Sequence, residues 1–274
     1  MKIGRISTGD LVREKYKGSI MMDYKLLANT AMLAGEIMLC SGAETYRVED
    51  TMYHILKTSK TESTQVIAMM TGIVITLNDE SMEQPVTMMR RVSERSTNVS
   101  NIIKVNDISR RYCDGRITLE EAYEELKHAK GKQYNRVLYN LATVGIAVGF
   151  ALMFGGNLLE VVTAAIVGVA LACVMTFGKI AKINSVLVHV FSGLGIAMLT
   201  VAIQRFLFFD ISPDIVIASS IMPIVPGVAI TNAIRDTLQG DYLSGCARIL
   251  EALLVAMAIA VGAGLGMLIG GGLI

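Results

Sequence analysis

The sequence predicts a membrane protein in which a small cytoplasmic α+β domain precedes an all-α bundle of five transmembrane helices. Three observations carry that expectation. The 274 residues are 53% hydrophobic with a mean hydropathy of +0.52, too apolar for an ordinary soluble domain of this length. Charge is concentrated before residue 136, while the remainder is almost wholly apolar. The apolar half also breaks at charges and glycine-rich turns into segments near the twenty residues that a bilayer requires. The expected organisation is therefore a flexible N-terminus at residues 1–22, a cytoplasmic domain at 23–135 and a membrane domain at 136–274.

Residues 1–22 mix charge, glycine and serine without a sustained period and lack the apolar core of a secretory signal. From Asp23 to Cys40 the apolar residues give a broad helical stripe, closed by Ser41–Gly42. Ala43 to Thr58 reads as a second helix. Its opening is dense in Glu44, Arg47, Glu49 and Asp50, which suits either capping and local pairing or a polar site. Gln65 to Leu77 reads as two strands and Pro85 to Val92 as a third, with Asn78–Asp79–Glu80–Ser81 as the turn between. Val99 to Cys113 and Thr118 to Ala129 read as helices, the last opened by a Thr118–Glu121 capping box.

The membrane half divides into five expected spans: Val137–Phe154, Leu158–Phe177, Ile183–Phe206, Asp214–Ile234 and Tyr242–Leu268. Asn157 with Glu160 reads as a helix cap, which makes Glu160 structural rather than a proton carrier. Gly262, Gly266 and Gly270 repeat every four residues along one face, as do Gly145 and Gly149. Such faces let helix backbones approach, within one chain or between the chains of an oligomer. Lys132 and Arg136, Lys179 and Lys182, and Arg235 and Arg248 fall on one side of the bilayer against Arg205 on the other. The positive-inside rule then puts the first domain in the cytoplasm and the C-terminus outside.

The stretch from Asp214 to Glu251 organises the functional reading. Pro223, Pro226 and Gly227 interrupt an apolar run. A proline removes a backbone donor and clashes with the preceding turn, and unsatisfied backbone in hydrocarbon costs several kcal/mol per group. Two half-helices meeting near the bilayer midplane resolve the conflict, and secondary transporters place their sites at such breaks. The second half-helix, beginning around Gly227, would offer N–H groups and a positive dipole end to a carboxylate. The first, ending near Ile221 or Met222, would offer carbonyls to an ammonium group or a cation. The competing reading is a proline kink that only shapes packing.

Around the break, Thr231 and Asn232 lie one turn further on, within reach of a small-molecule substrate. Arg235, Asp236, Asp241, Arg248 and Glu251 lie toward the cytoplasmic mouth, where ion pairs could gate or couple transport; solvated helix-end pairs are the alternative. His189, an ionisable group inside the third span, is a functional candidate by its depth or a packing histidine. Cys40, Cys113, Cys173 and Cys246 are too dispersed for a disulfide framework or zinc site. His54 and His128 have no ligand companions, so no metal or cofactor is expected. The net charge of +1 gives no sign of nucleic-acid binding.

The segments LAGEIMLCSGAETYRVEDTMYHI and MPIVPGVAITNAIRDTLQGDYLSGCARILEALLVA resemble the threonine/serine exporter family, in its N-terminal component with a cytoplasmic domain and five spans. The resemblance runs from about residue 25 to the end. It implies export of small substrates such as threonine and serine driven by the proton-motive force, with dicarboxylates such as succinate exported by some two-component members. Single-chain members continue into a second, smaller set of spans. This sequence is similar to the split form, which needs a separate small membrane subunit. The family pattern falls on Pro223, Pro226, Gly227, Thr231, Asn232, Arg235, Asp236, Gly240, Asp241, Ser244, Gly245, Arg248 and Glu251. Two other classes compete with transport: a membrane-anchored hydrolase-like enzyme, for which the sequence offers no nucleophile–base pair, and a regulatory or scaffold subunit of another transporter.

Overall fold

The computed structural model describes residues 23–80, 82, 84–93, 95–129, 135–206 and 210–272. The expected flexible segment at 1–22 lies outside the described residues. Two compact units divide the chain between Gly131 and Lys132.

The first unit is α+β. Helix α1 (Tyr24–Cys40) starts where the Asp23 carboxylate accepts the Leu26 N–H at 2.9 Å. It stops at Gly42, whose φ of +82° is open to glycine at little cost. Helix α2 (Thr45–Lys57) follows at once. Strands β1 (Ser63–Met69), β2 (Gly72–Asn78) and β3 (Val86–Arg91) form an antiparallel sheet in that order, with β2 central. Met69 pairs with Gly72, so Met70–Thr71 makes the tight turn between β1 and β2. Helices α3 (Val99–Cys113) and α4 (Leu119–Ala129) complete the unit. The expected box opens α4: Thr118 N–H donates to Glu121 at 2.8 Å and Glu121 N–H donates to Thr118 at 3.2 Å.

The core of this unit is built from large side chains. Leu27, Met32, Ile37, Met38, Leu39, Met52, Ile55, Leu56, Ile73, Ile75 and Leu77 are all fully buried. Alternation along β2 sends Ile73, Ile75 and Leu77 to the helix side. Glu49 does not belong to a cap. Its carboxylate accepts the Ala68 N–H at 2.7 Å and so ties α2 to the edge of β1. Glu44 makes no side-chain cap and instead pairs with Arg47 at 3.4 Å.

The second unit is helical: α5 (Arg136–Met153), α6 (Leu158–Ile180), α7 (Ser185–Phe206), α8 (Pro213–Ile221), a 3-10 turn (Met222–Ile224), α9 (Gly227–Leu238) and α10 (Tyr242–Gly272). Four of them, α5, α6, α7 and α10, are long and apolar enough to cross a membrane. A fifth crossing results if α8 and α9, bent by 59° at their junction, are one span. Here the buried positions are mostly small: Ala147, Ala151, Ala164, Gly168, Ala197 and Ala263. Large residues such as Leu138, Leu141, Val162, Ile166 and Leu268 face outward. That inversion of the first unit's pattern follows from the solvent. In lipid no hydrophobic gain comes from hiding leucine, so close backbone packing holds the helices together.

The contact between α7 and α10 shows this most directly. A Cβ at Gly266 would lie 2.6 Å from the Leu194 carbonyl oxygen, and one at Gly262 would collide with the Val190 carbonyl. The expected Gly262–Gly266–Gly270 face is therefore a contact within the chain. Around Gly145 and Gly149 an added Cβ would meet nothing within 4 Å, so that second face is not used inside the described chain.

Candidate functional site

The break is built differently on its two sides. Helix α8 packs on α5, α6 and α7, whereas α9 packs on the N-terminal half of α10. At the entry to α8, the Glu160 carboxylate accepts the N–H groups of both Asn157 and Ser212 at 2.7 Å, while Asn157 caps α6 in return. Glu160 is thus the fastener that holds the α5–α6 turn to the start of α8. At the other end of α8 the helix does not simply stop at Ile221 or Met222 with open carbonyls. It tightens into the 3-10 turn, where Met222 N–H donates to the Ser219 carbonyl and Val225 N–H to the Met222 carbonyl at 3.4 Å. The reason is Pro223: it cannot donate, and shorter-range bonds take over the carbonyls it strands.

Pro226 then precedes α9 and no side chain caps the helix. The Gly227 N–H is spent on the Val225 carbonyl at 2.8 Å, and Ile230 N–H reaches back to Pro226 at 3.0 Å. The N–H groups of Val228 and Ala229 have no acceptor among the described residues, so the donors lie one and two residues beyond Gly227. Gly227 is exposed, and a Cβ there would meet nothing within 4 Å. Thr231 is exposed, with its hydroxyl donating to the Gly227 carbonyl at 2.9 Å. Asn232, about 100° further round α9, is buried.

Further along α9 the charges separate into two kinds. Asp236 is 0% exposed and forms an ion pair with Arg248 of α10 at 2.8 Å, the arginine side chain being 8% exposed. Arg235 and Glu251 lie at the exposed surface of the same helix pair, both engaged in polar contacts. Asp241, in the turn between α9 and α10, is half-buried; burial first and the neighbouring Asp236 charge second push its carboxyl above the usual carboxylate range. Close approach makes the enclosure possible. Gly245 fits against the Ala233 carbonyl, where an added Cβ would come within 3.0 Å. Asn232, Asp236 and Arg248 therefore form one buried polar seam between α9 and α10.

His189 is not joined to that seam. Its Nδ1 is bonded to the Ser185 carbonyl at 2.6 Å, in the first turns of α7. Two further residues escaped the sequence reading. Ser192 in α7 and Ser220 at the end of α8 are buried, and their hydroxyls have no hydrogen-bond partner among the described residues. Among the described residues no group of three His, Cys, Asp or Glu side chains could hold a metal ion. In the first unit, a cleft of about 610 Å³ runs beside α2 and β1, lined by Tyr46, Glu49, Asp50, Tyr53, Thr64, Gln65 and Val66.

The sequence profile of a family described as "Putative threonine/serine exporter" matches residues 29–270. The chain is also 28% identical over 248 residues to a Mycobacterium tuberculosis protein named "Probable threonine/serine exporter". That alignment covers 87% of this chain and 45% of the relative. The chain thus spans less than half the length of the curated relative that it matches. No solved structure matches.

Proposed function

Because this chain belongs to the threonine/serine exporter family, we propose that it is a subunit of a secondary transporter that exports threonine, serine or a similar small substrate at the α8–α9 break. The observation that carries the reading is the break itself. An uncapped helix start with two free N–H groups sits beside a proline-stopped helix end, inside a bent pair long and apolar enough to cross the membrane. The N–H groups of Val228 and Ala229 take the substrate carboxylate, and the exposed Thr231, on the same helix face one turn further on, supplies a polar contact. The Asp236–Arg248 pair, with Arg235, Asp241 and Glu251 around it, forms the cytoplasmic gate and the coupling element for the proton-motive force.

Residues 23–135 form the cytoplasmic domain in this proposal, residues 136–274 the membrane domain, and the C-terminus lies outside. The basic residues of the loops support that orientation. A cysteine placed at Gly271 of a cysteine-free variant then reacts with a membrane-impermeant maleimide in intact cells, and one at Lys130 does not; the reverse labelling contradicts the orientation. We further propose that the exporter is a two-component assembly. In this proposal a separate small membrane subunit completes the transporter. Cells preloaded with threonine, serine or succinate test both points. Efflux of the amino acids appears when this chain and the small subunit are expressed together and is weak for this chain alone. Full efflux by this chain alone overturns the two-component reading. Export of succinate only transfers the site to a dicarboxylate, and no efflux of any of the three contradicts transport.

A further inference from the structure

Hydroxyl groups in a membrane helix ordinarily satisfy themselves by donating to a carbonyl of their own preceding turn. Four buried hydroxyls of this bundle follow that habit: Thr143 on the Tyr139 carbonyl, Thr163 on Leu159, Thr200 on Ile196 and Ser219 on Val216, at 2.7–3.1 Å. Ser192 and Ser220 do not. Both are buried, at 1% and 0% exposure, and their oxygens have no partner among the described residues. A buried polar atom left without a hydrogen bond is costly, so each one in a folded core calls for an explanation.

The two lie at similar depth. Helices α7 and α8 run antiparallel from a joint where the Gln204 side chain donates to the Ile211 carbonyl. At 1.5 Å per residue, Ser220 lies about 13 Å and Ser192 about 18 Å from that joint, a difference of about one helical turn. Ser220 also immediately precedes the proline break. A substrate with its carboxylate at the start of α9 would direct its other end toward α8.

We propose that Ser220, supported by Ser192, hydrogen-bonds the side-chain hydroxyl of the cargo and makes the exporter prefer serine over alanine and threonine over valine. The inference rests on the export reading above and adds a specificity determinant to it. Its physical basis is that a site built around a hydroxyl partner rejects the analogue lacking it, because the buried group is then left unpaired. Both serines are enclosed in this structure, whereas the start of α9 is exposed. The cargo reaches them when α9 moves relative to α8 at Val225–Pro226.

The test compares initial rates for serine against alanine and threonine against valine, in vesicles containing this chain and its small membrane subunit. The wild type favours the hydroxyl-bearing member of each pair. Ser220→Ala lowers that preference about tenfold or more, chiefly by slowing serine and threonine, and Ser192→Ala lowers it in the same direction. Ser219→Ala is the control: equally buried, but bonded within its own helix, it leaves the preference unchanged. If Ser220→Ala does not insert, Ser220→Cys keeps the volume but bonds poorly, and must show the same loss. A Ser220→Ala exporter that moves serine and threonine with the wild-type preference overturns the inference alone. A wild type that moves neither amino acid overturns it together with the export reading.

Discussion

Replacing Arg248 by methionine keeps much of the side-chain stem while removing the guanidinium, and leaves Asp236 buried without its counter-charge. Asp236 is 0% exposed and the pair closes at 2.8 Å. Two unit charges about 4 Å apart attract by about 4 kcal/mol at the effective dielectric of a partly wet site, and breaking a buried pair by deleting one partner costs about 3–5 kcal/mol. For a polytopic chain of this size that corresponds to a fall in apparent melting midpoint on the order of 10 °C. The double variant Asp236→Leu with Arg248→Met removes both charges and recovers most of the loss, since well-packed apolar residues replace a buried pair at little cost. The assay is thermal unfolding of purified, lipid-reconstituted protein, followed by size-exclusion profile and read as a double-mutant cycle. An Arg248→Met single variant within about 0.5 kcal/mol of wild type, on the scale of a surface pair, refutes the claim that the Asp236–Arg248 pair acts as a buried ion pair.

Gly262→Leu places a side chain against the Val190 backbone, so the chain should lose its monodisperse fold, whereas Gly145→Leu, with open space around it, should retain yield and melting midpoint; equal behaviour of the two contradicts the α7–α10 packing. Asp241→Asn should stabilise the protein near neutral pH. The raised folded-state value of Asp241 means that its protonation favours the fold, fully below the ordinary carboxylate range and progressively less as pH rises through the raised value. The variant's advantage should therefore shrink as melting is measured from pH 7.5 down to pH 4, and an advantage that grows on acidification refutes the assignment.

Local chemistry was legible from the sequence. The boxes at Thr118–Glu121 and Asn157–Glu160, the three strands and the proline break all follow from side-chain type at fixed spacing, and each appears where those residues stand. Tertiary choices were less so. Nothing in the apolar period of α9 says that its partner is the first half of α10, and α10, at 31 residues, extends beyond the expected Leu268 to Gly272. The 3-10 turn at Met222–Ile224 depends on which carbonyl finds which donor after Pro223, a competition between neighbours that composition does not decide. The four charges near the turn looked alike in sequence; burial separates Asp236 and Arg248 from Arg235 and Glu251. Ser220 carried a signal that went unused: two adjacent serines, Ser219–Ser220, in an apolar run one turn before a proline.

The central claim is that the start of α9 receives the cargo carboxylate, and Gly227→Leu tests it most directly. Open space around Gly227 lets the larger side chain fold without collision, yet it crowds the approach to the N–H groups of Val228 and Ala229. Threonine efflux and melting midpoint are measured together on inserted protein co-expressed with the proposed small subunit. The account predicts a wild-type midpoint with efflux abolished. A Gly227→Leu variant that folds normally and moves threonine at the wild-type rate would contradict it and reduce the break to a packing kink.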